Sequence, residues 1–290
     1  MKIILGPAST NLGKQIAQTL KAETVPVAFK IFPDGENYLR LEGQLQDKDV
    51  AIVQTTSPPQ DSRLIQLALM ADSAKRNGAR KITAIVPYLA YARQDKVFLQ
   101  GESISAETIA RMLGAAGVDQ LITVNVHQDK VLSHFPFPAK SVSAVPLLAE
   151  YFVNKGYAKA FALSPDKGAI HIAEEARKVL GGECGYLEKN RDRFTGQVGM
   201  ERKTLDVKGK TVIIFDDIIS SGGTIVAAAK ILKELNPQRI YVAAVHALLI
   251  GEAERLILQT GVEEIVGTDS VPSSVSKVSL APLISRELAG

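Results

Sequence analysis

The chain has 290 residues, more than the roughly 100–200 of a usual single domain and enough for two halves with a core each. It is 46% hydrophobic and 22% charged, with a net charge of +3. It carries no apolar run long enough to cross a bilayer and no basic stripe that could track a nucleic-acid backbone, so neither a membrane nor a nucleic acid is an expected partner. The single cysteine, Cys184, excludes an intramolecular disulfide and a cysteine-built metal site. The expected setting is the cytoplasm, with small anionic substrates as the partners left open.

Met1 runs directly into Lys2–Leu5, too short for a signal-peptide core and read as a first strand. Further short apolar runs follow at Val50–Val53, Ile82–Val86, Leu121–Val126, Ala160–Leu163, Val212–Phe215, Ile240–Val245 and Glu264–Val266. Their unbroken apolar character predicts strands covered on both faces. Between them, Arg63–Arg76, Ile104–Leu113, Ala144–Val153, Ile170–Leu180, Thr224–Leu235 and Glu252–Leu258 repeat apolar residues at helical spacing. Strand and helix alternate twice over, which predicts an α/β chain with two mostly parallel sheets, parted near Phe135–Ala139, where two prolines interrupt any period. Ligands of such folds bind beyond the carboxyl ends of the strands, so the residues after each apolar run are the place to look for chemistry.

The most informative of those places is Thr211–Thr224, an apolar strand ending in Asp216 and Asp217, then the turn Ser220-Ser221-Gly222-Gly223-Thr224, then a helix. Backbone N–H groups of Ser220–Thr224 can converge on a phosphate at the helix's positive end, and the glycines let the backbone come close. The two carboxylates would repel that phosphate directly, but upstream of it they can accept hydrogen bonds from the vicinal hydroxyls of a ribose. A sugar phosphate satisfies both demands. Ser-Gly-Gly-Thr taken alone also fits an ordinary helix cap.

This segment resembles the phosphoribosyl-diphosphate-binding loop of the phosphoribosyltransferase fold. Five further stretches resemble ribose-phosphate pyrophosphokinases specifically: Phe32-Pro-Asp34-Gly35-Glu36, Tyr91-Ala-Arg93-Gln94-Asp95, Thr123–His127, Ala162–Gly168 and Leu187–Arg193. The resemblance implies two similar phosphoribosyltransferase-type domains, 1–139 and 140–276, with 277–290 and its helix Ala281–Leu288 returning to the first. It implies transfer of the diphosphate of ATP to the 1-hydroxyl of ribose 5-phosphate, giving phosphoribosyl diphosphate and AMP. Arg93, Gln94 and Asp95 would contact the nucleotide, while Phe32, Asp34, Gly35 and Glu36 would complete that site from a neighbouring subunit of a homo-oligomer. His127 and Asp166 would lie on the path of Mg2+ and diphosphate, with His127 acting through water or on the diphosphate, because magnesium prefers oxygen ligands. Lys189 and Arg191 would close over the reacting phosphates, with Arg193 a weaker candidate. Asp216, Asp217 and Ser220–Thr224 would hold ribose 5-phosphate, aided by Arg191.

Other readings compete segment by segment. Asp34-Gly35 is a common turn, Arg93 and Asp95 could form a surface pair, and Leu187–Arg193 alone reads as a solvated hairpin. A plain phosphoribosyltransferase would share the loop but need no Phe32–Glu36 or Arg93–Asp95 segment. Gly209-Lys-Thr211 is half of a P-loop, but it precedes a strand where that motif precedes a helix. After Asp95 the chain reads Lys96-Val-Phe-Leu-Gln-Gly-Glu102, where many family members carry several basic residues. Strong activation by phosphate is therefore not expected.

Overall fold

The structure is a computed structural model that describes residues 1–191, 198–201 and 205–289, with the backbone path alone at 188–191 and 198–201. The chain divides into two units: Met1–Ser143 with Ser270–Pro272 and Ser279–Gly290, and Ala144–Asp269 with Ser273–Val278.

The first unit runs β1 (Lys2–Leu5), α1 (Thr10–Leu20), β2 (Glu23–Val25), β3 (Val27–Ile31), β4 (Asn37–Leu41), β5 (Asp49–Val53), α2 (Gln60–Arg76), β6 (Lys81–Val86), α3 (Ser105–Ala115), β7 (Gln120–Val124) and β8 (Ala139–Val142). Six strands form one sheet in the order β2-β1-β5-β6-β7-β8, every neighbouring pair parallel. Consecutive residues of a strand face opposite sides, so the burial of all of Val50–Val53 means that both faces are covered. Ile4, Ile52, Leu67, Met70, Leu113 and Leu121 join in one core. Helix α1 was not legible as a helix. It buries Leu12, Gly13, Ile16 and Ala17, and a Cβ on Gly13 would stand 2.8 Å from the Leu5 side chain, so the glycine is what lets α1 lie close on β1.

The second unit runs α4 (Val145–Asn154), β9 (Phe161–Ser164), α5 (Ile170–Leu180), β10 (Cys184–Tyr186), β11 (Glu188–Arg191), β12 (Val198–Glu201), β13 (Thr211–Ile219), α6 (Gly223–Glu234), β14 (Arg239–Ala247), α7 (Ala253–Leu258), β15 (Glu264–Thr268) and β16 (Ser276–Val278). Its sheet, β10-β9-β13-β14-β15-β16, is again parallel throughout. Leu163, Ile214, Ile225, Leu232, Val242 and Ile257 share its core. The last helix, α8 (Ala281–Ala289), packs on α1 of the first unit, where Glu287 pairs with Lys140 at 2.6 Å and Ser279 donates to Gln15 at 2.6 Å.

The two sheets repeat one strand order, and each unit inserts an antiparallel hairpin at the same point of it: β3–β4 in the first, β11–β12 in the second. The chain passes between units after Ser143, later than the Phe135–Ala139 seam read from the prolines. The reason is backbone pairing: Ala139–Val142 is the sixth strand of the first sheet, in register with Leu121–Val124. Among the described residues no helix is long and apolar enough to cross a membrane.

Candidate active site

In the second unit the strand order reverses direction between β9 and β13, and the carboxyl ends of these two neighbours carry the acids. Crevices at such switch points are where open α/β sheets bind ligands. After β9, Ser164 donates to the Asp166 carbonyl at 2.6 Å, and the Asp166 carboxylate accepts the backbone N–H groups of Gly168 (2.9 Å) and Ala169 (3.2 Å). Asp166 thereby caps the turn that leads into α5.

At the end of β13, the Asp217 N–H donates to the Asp216 carboxylate at 2.9 Å. Burial, then the neighbouring Asp217 charge and, further down, Asp166, push the Asp216 carboxyl well above the ordinary carboxylate range. The end of β13 is clamped from the segment after β14: Leu249 N–H donates to Ile219 O at 3.1 Å and Ile250 N–H to Ser220 O at 3.0 Å. Leu249 sits at φ 46°, a conformation that costs a leucine energy.

The turn itself ends at Gly222 with φ 78°, the left-handed conformation that glycine adopts without steric cost. Helix α6 then starts with Gly223 and Thr224 and has no acid in its first turn, while Ile225, Ala228, Ala229 and Leu232 face the core. Its first N–H groups and positive end are thus directed beyond the strand ends without a competing carboxylate of its own. Ser221 and Gly223 are exposed, and Ser220 and Thr224 half-buried.

In the first unit the Phe32–Glu36 segment is the tip of the β3–β4 hairpin. Phe32 N–H donates to Glu36 O at 2.8 Å, Gly35 N–H to Phe32 O at 2.9 Å and Glu36 N–H to the Asp34 carboxylate at 3.1 Å, with Gly35 at φ 94°. Phe32 is exposed, with the Lys30 ammonium 4.8 Å from its ring centre. Arg93, Gln94 and Asp95 lie between β6 and α3, where Arg93 is exposed and Gln94 is tied to the start of α3 through Ser105 and Ala106. His127 is exposed beyond β7, after Asn125 at φ 37°.

The chain compares as follows with known proteins. Residues 1–117 match the family described as the N-terminal domain of ribose phosphate pyrophosphokinase, and residues 146–281 match the phosphoribosyl transferase domain. The ribose-phosphate pyrophosphokinase of Methanobrevibacter smithii is 40% identical, covering 99% of this chain and 99% of its own. That of Saccharolobus solfataricus is 40% identical over 93% of each. The chain belongs to the ribose-phosphate pyrophosphokinase family. A crystal structure of phosphoribosylpyrophosphate synthetase from Mycobacterium smegmatis superposes with a TM-score of 0.87 at 30% identity, covering 100% of this chain and 97% of that one. As a family member the chain is an enzyme, with the two-domain α/β fold that its sequence motifs imply.

For a ribose-phosphate pyrophosphokinase, the candidate residues fall in two places. The structure brings together Asp166, Asp216, Asp217 and the Ser220–Thr224 turn in the second unit, while Phe32–Glu36, Arg93–Asp95 and His127 belong to the first. Lys189 and Arg191 are on β11, whose backbone pairs with β12 at Met200 and Val198, and their side chains, like all of Arg193, lie outside the described residues. Sequence reasoning missed Leu249 and Ile250, which touch the loop through backbone atoms and so leave no signature.

Proposed function

We propose that the enzyme transfers the terminal diphosphate of ATP to the 1-hydroxyl of ribose 5-phosphate. The hydroxyl oxygen bonds to the β-phosphorus, the bond from that phosphorus to the oxygen bridging to the α-phosphate breaks, the hydroxyl proton is lost, and AMP departs. The observation that carries this reading is the pairing of Asp216 and Asp217 with an acid-free helix start at Gly223, all at the switch point of the second sheet. Vicinal hydroxyls suit the first feature and a 5-phosphate the second.

In this reading the N–H groups and hydroxyls of Ser220–Thr224 bind the 5-phosphate, and the Asp pair orients the ribose. Arg93, Gln94 and Asp95 hold the nucleotide, and Phe32, Asp34, Gly35 and Glu36 complete that site in a neighbouring subunit of a homo-oligomer. Lys189 and Arg191 stabilise charge on the transferring diphosphate and exclude water as they close.

The acids fit magnesium in charge, since burial and then the neighbouring Asp217 and Asp166 charges raise the Asp216 carboxyl above the ordinary carboxylate range, and a cation would relieve that crowding of charge. Among the described residues no group of three or more ligating side chains forms a ready cage. This suits an ion that keeps several waters and binds through one or two carboxylates plus substrate phosphates. Asp166 in the second unit and, through water, His127 in the first are each candidates to act on Mg2+, which when bound would neutralise charge on the phosphates. The proposed setting is the cytoplasm, supplying nucleotide biosynthesis.

The test is to incubate the protein with ATP, magnesium and ribose 5-phosphate and to measure AMP. AMP should form only when the sugar phosphate is present. AMP formation independent of the sugar, or none with it, would refute the proposal.

A further inference from the structure

Within the first unit, two glutamines occupy positions where apolar residues would be expected. Gln54 follows the buried run Val50–Val53 and is 0% exposed, and Gln66 lies on the buried face of α2 between Leu64 and Leu67 and is 1% exposed. A buried amide is costly unless both of its ends are satisfied, and these two satisfy each other. The Ala8 N–H donates to Gln54 Oε1 at 3.0 Å, and Gln54 Nε2 donates to Gln66 Oε1 at 3.0 Å, which also accepts from Arg63 Nη1 at 3.1 Å. Gln66 Nε2 donates in turn to Asn37 Oδ1 at 2.9 Å and to Ser62 Oγ at 3.3 Å, and Ser62 Oγ donates to Asn37 Oδ1 at 3.3 Å.

The result is a hydrogen-bonded relay from the turn after β1, across the carboxyl end of β5 and the first turns of α2, to the loop end of the β3–β4 hairpin. Its last member matters most. Asn37 opens β4, follows Glu36 directly and pairs with Ile31 across the hairpin. The hairpin is a two-stranded ribbon separate from the main sheet, and ribbons of that size are marginal alone. Its outer residues Ile31, Phe32 and Tyr38 are exposed, so little packing fixes the tip.

We propose that Gln66 is a positioning residue for the nucleotide site. Through Asn37 it sets the angle at which the Phe32–Glu36 tip is presented. This rests on the assignment of that tip to ATP binding. The amide is suited to the task because it accepts on the sheet side and donates on the hairpin side, and a leucine of similar size does neither.

The test compares Gln66→Leu, Asn37→Ala and Gln66→Glu with the unaltered enzyme, by steady-state kinetics and by calorimetric binding of a non-hydrolysable ATP analogue. Gln66→Leu and Asn37→Ala should each raise KM for ATP and Kd for the analogue about tenfold, the factor equivalent to about 1.4 kcal/mol. KM for ribose 5-phosphate should stay within about twofold, and the double variant should lose no more than either single one, since both cut the same link. Gln66→Glu should restore most of the ATP affinity, because its carboxylate accepts from Gln54 and Arg63 and the Asn37 amide can turn to donate to it. Asn37 is half-buried at the loop end of the hairpin, so its variant serves even where Gln66→Leu fails to fold. Unchanged analogue binding in a folded Asn37→Ala protein, or an equal rise in both KM values, would overturn the positioning role. Failure of the unaltered protein to bind the analogue would instead refute the ATP site itself.

Discussion

Gly222 and Gly223 are adjacent in sequence, and alanine at each should have opposite effects on stability. At Gly222 the backbone is at φ 78°, and an added Cβ would stand 3.1 Å from Ile257 Cδ1 and 3.3 Å from Ala253 Cβ on α7. The left-handed conformation costs a non-glycine residue about 1–2 kcal/mol, and the crowding against α7 adds to it. Gly222→Ala should therefore lower the melting temperature by several degrees, at about 2–4 °C per kcal/mol for a chain of roughly this size. At Gly223 an added Cβ meets nothing within 4 Å, and the residue already lies in α6. Gly223→Ala should be neutral or stabilising by about 0.4–1 kcal/mol, because alanine has fewer unfolded conformations to lose. The open space over Gly223 is, however, where the 5-phosphate is proposed to sit. Gly223→Ala should thus raise KM for ribose 5-phosphate about tenfold or more in a protein that melts no lower than the original. Differential scanning calorimetry and initial-rate kinetics on the two variants give both numbers. A Gly223→Ala enzyme with unchanged ribose 5-phosphate KM would refute the placement of the phosphate, and a Gly222→Ala protein of full stability would refute the strain argument.

Lys189→Ala should lower kcat about a hundredfold with little change in ribose 5-phosphate KM, whereas Asp217→Ala should mainly raise that KM; near-normal kcat in the lysine variant would return Leu187–Arg193 to an ordinary hairpin. Mixing Asp34→Ala and Lys189→Ala proteins under proven subunit exchange should recover part of the activity, and no recovery would count against a shared ATP site. Asp216 binds its proton more tightly folded than unfolded, so its contribution favours folding below about pH 4 and is lost as pH rises through the raised folded value. In metal-free buffer, the melting temperature of Asp216→Asn relative to the original should therefore climb between pH 4 and pH 8; a gap independent of pH would show that the Asp216 carboxyl is not perturbed.

The eight apolar runs all became central or flanking strands of the two sheets, because a strand buried on both faces leaves an uninterrupted apolar signal. Short strands such as Glu23–Val25 and Cys184–Tyr186 were not legible, since an edge strand of three residues has too little pattern to count. Helix α1 escaped for a related reason: part of its buried face is Gly13 and Ala17, which read as neutral in sequence and act by allowing close approach. At the candidate site, Asp216, Asp217 and the Ser-Gly-Gly-Thr turn were legible because the proposed chemistry rests on their side chains and glycines. The Leu249 and Ile250 clamp acts through main-chain N–H groups and could not be read from residue type. Asp166 was legible as a candidate acid at a strand end, but its capping of the turn before α5 emerged only from the backbone N–H groups whose hydrogen bonds it accepts.

The central claim is diphosphate transfer with attack at the β-phosphorus, and the fate of a label tests it most directly. ATP labelled at the β-phosphate should be incubated with the enzyme, magnesium and ribose 5-phosphate, and the products separated. The account predicts that the label leaves with the sugar product and that AMP is unlabelled. Label remaining in ADP, with only the γ-phosphate moved, would contradict it.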